Sequence, residues 1–183
     1  VSKDKLAGYP FSLTDIPVPS KNIEPVALEL CLVDPLCPVI GEVPDPTRGV
    51  SFPDNFPDES FWWSADALFE VGEIRARLVL ALEAAFDSAT IQDDHQVAFG
   101  RIRVRIDDVV PGATYEIIHP YGVVRATAGD RGRLFYTDHV GCMSGPCGEF
   151  GGLYTQPIGP VLRWDPSVGP AAPRNCRFDA DLT

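Results

Sequence analysis

The segment from Val109 to Tyr115 constrains the fold more than any other part of this 183-residue sequence. It follows the alternating stretch Arg101 to Ile106, and another alternating stretch begins at Tyr115. Pro111-Gly112 is typical of a turn between strands, and the hydroxyl of Tyr115 lies within reach of nearby backbone. This pattern is the tyrosine corner of immunoglobulin-like sandwiches. We therefore expect an all-β protein with an antiparallel immunoglobulin-like or fibronectin-like β-sandwich.

Apolar and polar residues alternate with a period of two in several further stretches, which predicts strands with one buried face. The stretch 74–86 also contains good helix formers, but its strict two-residue repeat favours a strand. We expect residues 113–139 to form a meander of antiparallel hairpins. The predicted strands span about 61–70, 74–86, 96–107, 113–119, 123–128, 133–139 and 160–164.

The first third of the chain has a different composition, with ten prolines between Pro10 and Pro57. Proline removes a backbone donor and ends helices, so residues 1–58 are predicted to form an extended arm. The arm carries enough apolar side chains to pack on its own domain or on a neighbouring subunit. We expect the sandwich at 59–170 and a loop-rich C-terminal tail at 171–183.

The formal net charge is -11. Such a charge repels phosphate backbones and anionic lipid at long range, so neither nucleic acid nor a membrane surface is an expected partner. No run of about 18 apolar residues is present, so we expect no membrane insertion.

Four of the five cysteines form two closely spaced pairs, Cys31 with Cys37 and Cys142 with Cys147, and Cys176 is left over. Two short-loop disulfides would indicate an exported protein, secreted or at the cell surface. A zinc site of His139, Cys142, Cys147 and Cys176 is an alternative. Reduced, buried cysteines in a cytosolic protein are a second alternative.

Several longer phrases resemble those of a family of uncharacterised secreted bacterial proteins, often found ahead of immunoglobulin-like or fibronectin-like repeats. The resemblance covers about residues 26–170 and implies export and a surface or extracellular setting, without implying a catalytic residue. The phrases that carry it are residues 28–31 (LELC), 34–38 (DPLCP), 50–59 (VSFPDNFPDE), 61–63 (FWW), 119–122 (HPYG) and 158–166 (IGPVLRWDP).

Arg101, Arg103 and Arg105 occupy alternate positions and therefore share one face of a predicted strand. Such a row can bind a carboxylate-rich polymer or partner through forked guanidinium contacts. The alternative is a solvated face on which Glu and Asp of neighbouring strands match the arginines.

Trp62 and Trp63 follow an acidic, Pro-rich stretch, as aromatic residues do on many carbohydrate-binding surfaces. Strand alternation sends one of the two rings inward, and we expect Trp63 to be the core residue. Trp62 then either contacts a ligand or packs under the arm.

Asp93 and Asp94 lie in a polar loop and could supply oxygen ligands for calcium. Their spacing does not match a recognised calcium loop. No other cofactor is indicated by the sequence.

A catalytic site is weakly indicated, because Ser144 lacks the glycine two residues before it that a nucleophile elbow requires. A hydrolase using His139 with Ser144 would need an orienting group that the sequence does not reveal. We therefore expect a secreted, non-catalytic structural or adhesive module. It would associate with itself, another surface protein or a polysaccharide; the alternatives are an extracellular hydrolase and a carbohydrate-binding module.

Overall fold

The computed structural model describes residues 5–7, 9–10, 12–16, 26–33 and 37–147. Every regular element in these ranges is a β-strand, and the strands pair antiparallel throughout, which confirms the all-β prediction. The strands are β1 (Lys5–Leu6), β2 (Tyr9–Pro10), β3 (Ser12–Ile16), β4 (Val26–Glu29), β5 (Glu59–Val71), β6 (Ile74–Phe86), β7 (Gln96–Asp107), β8 (Thr114–His119), β9 (Gly122–Thr127) and β10 (Arg133–Cys142).

The main sheet has four strands in the order β10-β7-β6-β5. Its β6 confirms that residues 74–86 form a strand rather than a helix. The sheet register places Leu80 beside Ile102 and Ala81 beside Arg101. Apolar residues of neighbouring strands therefore point to the same side of the sheet.

This register gives the sheet two different faces. The apolar face carries Leu80, Leu82, Ala84, Ala98, Ile102, Val104 and Leu134, all buried. The other face, which we call the polar face, carries the buried apolar residues Ala81, Val97 and Phe99 and these polar residues: Arg75, Arg77, Glu83, Arg101, Arg103, Arg105, Asp107, Arg133 and His139.

The predicted meander is wrong at its last step. β9 pairs with β8 alone, and β10 returns to pair with β7 along its full length. The β8–β9 hairpin instead packs Tyr115 and Ile117 against the apolar face around Leu134. Burying apolar residues of β7 and β10 under the hairpin explains why β10 joins the sheet rather than extending the hairpin.

The predicted corner lies where β7 leads into this hairpin. The backbone N–H of Val110 donates to the Tyr115 hydroxyl at 2.9 Å. Gly112 has a φ of 73°, in the left-handed region that favours glycine. The hydrogen bond spans the turn and ties the start of β8 to the end of the preceding segment.

The described part of the N-terminal arm packs on the domain of its own chain. Tyr9 is fully buried, and its hydroxyl donates to the carbonyl oxygen of Ala85. Its ring lies against Phe56, Trp62 and Phe86, and its burial raises the pKa of the phenol. The predicted strand at 160–164 and the predicted tail at 171–183 lie outside the described residues.

Two disulfides are present, as predicted, and they fit an oxidising compartment. Cys31 is bonded to Cys37 with their Cα atoms 5.3 Å apart, and Cys142 to Cys147 with theirs 6.0 Å apart. The zinc and reduced-cysteine alternatives are therefore wrong for these four residues, because a sulfur in a disulfide is not a thiolate ligand. Cys176 lies outside the described residues.

Candidate functional site

The three predicted arginines lie on β7 and point to the polar face, but the sheet gives them three different environments. Arg101 is largely buried in a group of charged side chains, Arg103 lies over an aromatic ring, and Arg105 is exposed beside other arginines. The polar face therefore has two distinct regions, one at each end of β7.

At the first end, Arg101 is the centre of what we call the buried charge cluster, consisting of Glu59, Glu83, Arg101, Arg103 and His139. Its Nη1 lies 2.9 Å from Glu83 Oε2 and 3.3 Å from Glu59 Oε1. Its Nε donates to His139 Nε2 at 2.9 Å, and its guanidinium lies 5.0 Å from the centre of the Phe99 ring. One arginine thus contacts β5, β6 and β10.

Glu83 is the most unusual member of this cluster, because its side chain is 0% exposed. The Arg101 contact is close but lacks hydrogen-bond geometry, so neither Glu83 oxygen has a hydrogen bond among the described residues. Burial and the neighbouring Glu59 carboxyl raise the pKa of Glu83 to about 9. The raised pKa favours the protonated form of Glu83, whose O–H can donate to Glu59.

His139 is neutral in this setting. Burial lowers its pKa, and the nearby Arg101 charge lowers it further. Because arginine can only donate, the Nε2 atom that receives the Arg101 hydrogen bond carries the lone pair. Thr137 Oγ1 lies 3.3 Å from the same atom. The hydrogen bonds of His139 among the described residues are with Arg101 and Thr137, and none is with Ser144.

Arg103 occupies the middle of the face. Its guanidinium lies 5.8 Å from the centre of the Phe135 ring, and its Nε is buried with no hydrogen bond among the described residues. Burial lowers its pKa, with a further contribution from Arg101. Arg103 is thus held by packing and a cation–π contact.

At the other end of β7, six charged side chains line an open depression of about 300 Å³. We call it the arginine depression; it is lined by Arg75, Arg105, Asp107, Asp108, Arg131 and Arg133. Four cations and two anions give it a formal charge of +2 on a chain whose net charge is -11.

Ion pairs within the arginine depression neutralise half of its arginines. Arg75 pairs with Asp108 at 3.1 Å, and Arg133 pairs with Asp107 at 3.4 Å. Arg105 and Arg131 have no carboxylate partner among the described residues, and both are exposed. Their guanidinium groups are available to an anionic ligand.

Trp63 packs against the core as expected, but Trp62 is also a core residue and is the more deeply buried of the two. Phe61 pairs with Glu83 and Trp63 with Leu82, so Trp62 is the extra residue of a β-bulge. The bulge interrupts the alternation and lets both rings pack on the apolar face. Trp62 is 4% exposed and contacts the Tyr9 ring edge-on, so it packs under the arm and offers no surface to a sugar.

The calcium candidates lie in the loop before β7. The Asp93 carboxylate accepts a hydrogen bond from Gln96 Nε2 at 2.8 Å, and the same amide donates to the Ala7 carbonyl. Asp94 has a φ of 65°. Among the described residues, no group of three or more His, Cys, Asp or Glu side chains is arranged to hold a metal ion. Calcium binding here stays a prediction.

Sequence reasoning missed Glu59, Glu83, Arg131 and Arg133. A signal for Glu83 was present, because it is the one carboxylate within the apolar run 78–86. The arginine depression left no comparable signal, since strand pairing and two turns bring its residues together from distant parts of the chain.

In the described part of the chain, no helix is long and apolar enough to cross a membrane. No family model, curated protein or solved structure matches the chain significantly.

Proposed function

We propose that this protein is a secreted, non-catalytic adhesive module that binds a carboxylate-bearing polysaccharide through the arginine depression. The observation that carries the proposal is the pair of exposed guanidinium groups, Arg105 and Arg131, that lack a carboxylate partner among the described residues in a concavity lined only by charged side chains. The volume of about 300 Å³ lies at the lower end of small-molecule sites.

The placement of Arg105 supports a binding role. The sheet register puts it directly opposite Arg77 on β6. Like charges facing each other across a sheet destabilise it, and Asp66 offsets this by holding Arg77 in a two-point contact at 2.9 Å. Arg105 has no such partner among the described residues, so a ligand carboxylate would relieve the repulsion that the fold retains.

The class of polymer follows from charge density. Duplex DNA carries about one charge per 1.7 Å, which a chain of net charge -11 strongly repels. A uronate polysaccharide carries at most one charge per sugar, so a local contact with two or more arginines can outweigh the long-range repulsion.

Export and fold family belong to the same proposal. The two disulfides support secretion to the cell surface or beyond, and the resemblance to the secreted bacterial family agrees with it. An immunoglobulin-like sandwich is supported by the tyrosine-corner hydrogen bond and by the β8–β9 layer over the apolar face. An experimental structure in which the strands of that second layer connect differently would contradict this assignment.

The buried charge cluster does not support a second, enzymatic function. Paired carboxyls with a raised pKa are common at hydrolase sites, but Glu83 has no exposed surface for a substrate to touch. We assign the cluster a structural role in joining β5, β6, β7 and β10.

The test is a binding assay with immobilised polygalacturonate, using dextran sulfate, neutral dextran and duplex DNA as comparisons. We expect binding to polygalacturonate that weakens as salt increases. Changing Arg105→Ser and Arg131→Ser together should weaken it roughly tenfold, as expected for two charge-assisted contacts at a solvent-exposed site.

The matched control changes two exposed arginines outside the depression, Arg48→Ser and Arg125→Ser. It alters the net charge equally, so a loss of binding in both double variants would mean that overall charge, not the depression, is responsible. Absence of polygalacturonate binding, or tighter binding to DNA, would overturn the proposal.

A further inference from the structure

The outer edge of β5 is open over its second half. β5 is the last strand of the sheet, and the described residues pair with this edge only at its start, where Ile40 contacts Glu59 and Cys31 contacts Phe61. From Ser64 to Val71 the edge has no described partner, and Leu68, Phe69 and Val71 are exposed.

Natural sheet edges are usually protected by Lys, Pro, a bulge or a very short strand. The stretch 64–71 (SADALFEV) has neither Lys nor Pro, and the bulge at Trp62 precedes it. The charged side chains of this stretch are Glu70 and Asp66, and Asp66 is neutralised by Arg77. Such a partly apolar, weakly protected edge is a template for pairing with another strand.

The direction of the backbone groups follows from the pairing at the start of β5. The N–H groups of Ile40 and Cys31 donate to the carbonyls of Glu59 and Phe61 at 2.9 Å. The backbone N–H and C=O groups of Glu59 and Phe61 therefore point away from β6, toward the open edge. In an antiparallel ladder every second residue directs its backbone N–H and C=O groups to the same edge. The extra residue at Trp62 moves this series from odd-numbered to even-numbered positions. Four residues then direct their N–H and C=O groups outward: Ser64, Asp66, Leu68 and Glu70.

We propose that a second copy of this chain pairs antiparallel with this edge, β5 to β5, about a two-fold axis at Ala67. In that register Asp66 faces Leu68 of the other copy and Ser64 faces Glu70. All four N–H and all four C=O groups that point outward from each strand are then paired. A register centred one residue later, at Leu68, would place Asp66 against Glu70, and like charges directly opposite are unfavourable.

The strand also complements itself on the apolar face. The Ala67 register places Phe69 opposite the small Ala65 of the other copy and Val71 opposite Trp63. On each side of the axis the large Phe69 thus faces the small Ala65, and at the axis the two Ala67 side chains meet without crowding. This match within one sequence favours a second copy over an unrelated strand, and it joins two four-stranded sheets into one continuous sheet.

The pairing covers seven residues, about 23 Å of strand. So short an edge contact belongs with small, transient interfaces, so we expect a dissociation constant in the micromolar range. This inference names a surface for the self-association expected from the sequence, goes beyond the proposed function, and does not depend on polysaccharide binding.

The first test is analytical ultracentrifugation of the full chain between about 1 µM and 1 mM, at which a dimer of this strength becomes populated. Leu68→Glu should weaken dimerisation at least tenfold, because the introduced carboxylate faces Asp66 of the other copy and the two-fold axis repeats this repulsion. Ile118→Glu is the matched control, since Ile118 is 78% exposed and Leu68 79%, but Ile118 lies on the β8–β9 hairpin. A monomer at every concentration, open-ended oligomers, or equal effects of the two substitutions would overturn the proposal.

The second test locates the axis by cross-linking, in chains that also carry Cys176→Ser. Ala67→Cys places two thiols opposite each other at the axis, at a Cα separation of about 4.5 Å that a disulfide can span. Ala65→Cys places them four residues out of register, about 14 Å apart, which is too far. We expect a covalent dimer after mild oxidation of the first variant only; cross-linking of both, or of neither, would refute the register.

The Arg105→Ser, Arg131→Ser double variant keeps the β5 edge intact and should dimerise like the natural chain. Loss of polymer binding with retained dimerisation, or the reverse, therefore shows which of the two proposals fails.

Discussion

Replacing Glu83 with Gln should remove most of the pH dependence that the buried charge cluster imposes on stability. In the folded protein the pKa of Glu83 is raised to about 9 by burial and by Glu59. In the unfolded chain it is close to the ordinary value of 4.5. Between these values the folded state holds one proton more than the unfolded state.

The sign and size of the effect follow from proton linkage. When the folded state binds more protons, stability falls as the pH rises. One group contributes about 1.4 kcal/mol per pH unit within its window, which amounts to about 3 kcal/mol between pH 6 and pH 8. Its favourable contribution is complete below pH 4.5 and is lost as the pH rises to about 9.

Glutamine is a close match for a protonated glutamate, because it has nearly the same shape and its amide N–H can donate to Glu59. It has no proton to lose. We expect Glu83→Gln to fold normally. Between pH 6 and pH 8 its free energy of unfolding should fall by about 3 kcal/mol less than that of the natural chain.

The assay is urea unfolding at pH 6, 7 and 8, followed by tryptophan fluorescence with both disulfides intact. Glu116→Gln is the control, because Glu116 is a half-exposed carboxylate whose only described ion pair is with Arg125. This control removes a carboxylate outside the buried charge cluster, so an equal change of slope in both variants would not be specific to Glu83. If Glu83→Gln has the same slope as the natural chain, Glu83 is ionised in the folded protein and the reasoning is refuted.

Three smaller predictions concern the fold. Tyr115→Phe removes the acceptor for the exposed Val110 N–H, so we expect a loss of about 1 kcal/mol in urea unfolding; no loss would show that the corner bond is dispensable. Trp62→Ala leaves a cavity beneath Tyr9 and should cost about 3–5 kcal/mol; a loss below about 1 kcal/mol would mean that the ring is not core. If Asp93 and Asp94 bind calcium, the bound ion should raise the melting temperature in calcium above that in chelator; equal values would refute the calcium prediction.

Alternation of residues along the sequence was enough to predict the long strands β5, β6 and β7. Each buries one face, and a two-residue period expresses this locally. The partner of β10 was not predictable in the same way. Its own pattern is compatible with pairing to β9 or to β7, and only the packing of the β8–β9 hairpin on the apolar face decides between them.

At Trp62 and Trp63 a β-bulge makes the two-residue period a poor guide to which ring is buried. Because Trp62 is an extra residue, both rings point to the core, where strict alternation predicts only one of them. Nothing in the neighbouring residues marks the bulge, which depends on how β5 packs beneath Tyr9 and beside β6.

The sequence by itself determined the all-β class, the bounds of the long strands, the tyrosine corner and the two disulfides, because each depends on residues close together in the chain. Only the tertiary structure decided what the arginines of β7 do. Arg101 is largely buried between the carboxyls of Glu59 and Glu83, and Arg105 is left beside Arg131 in an open depression. The charges around each arginine come from side chains of other strands and turns. The sequence pattern does not predict which of these distant residues the sheet brings together.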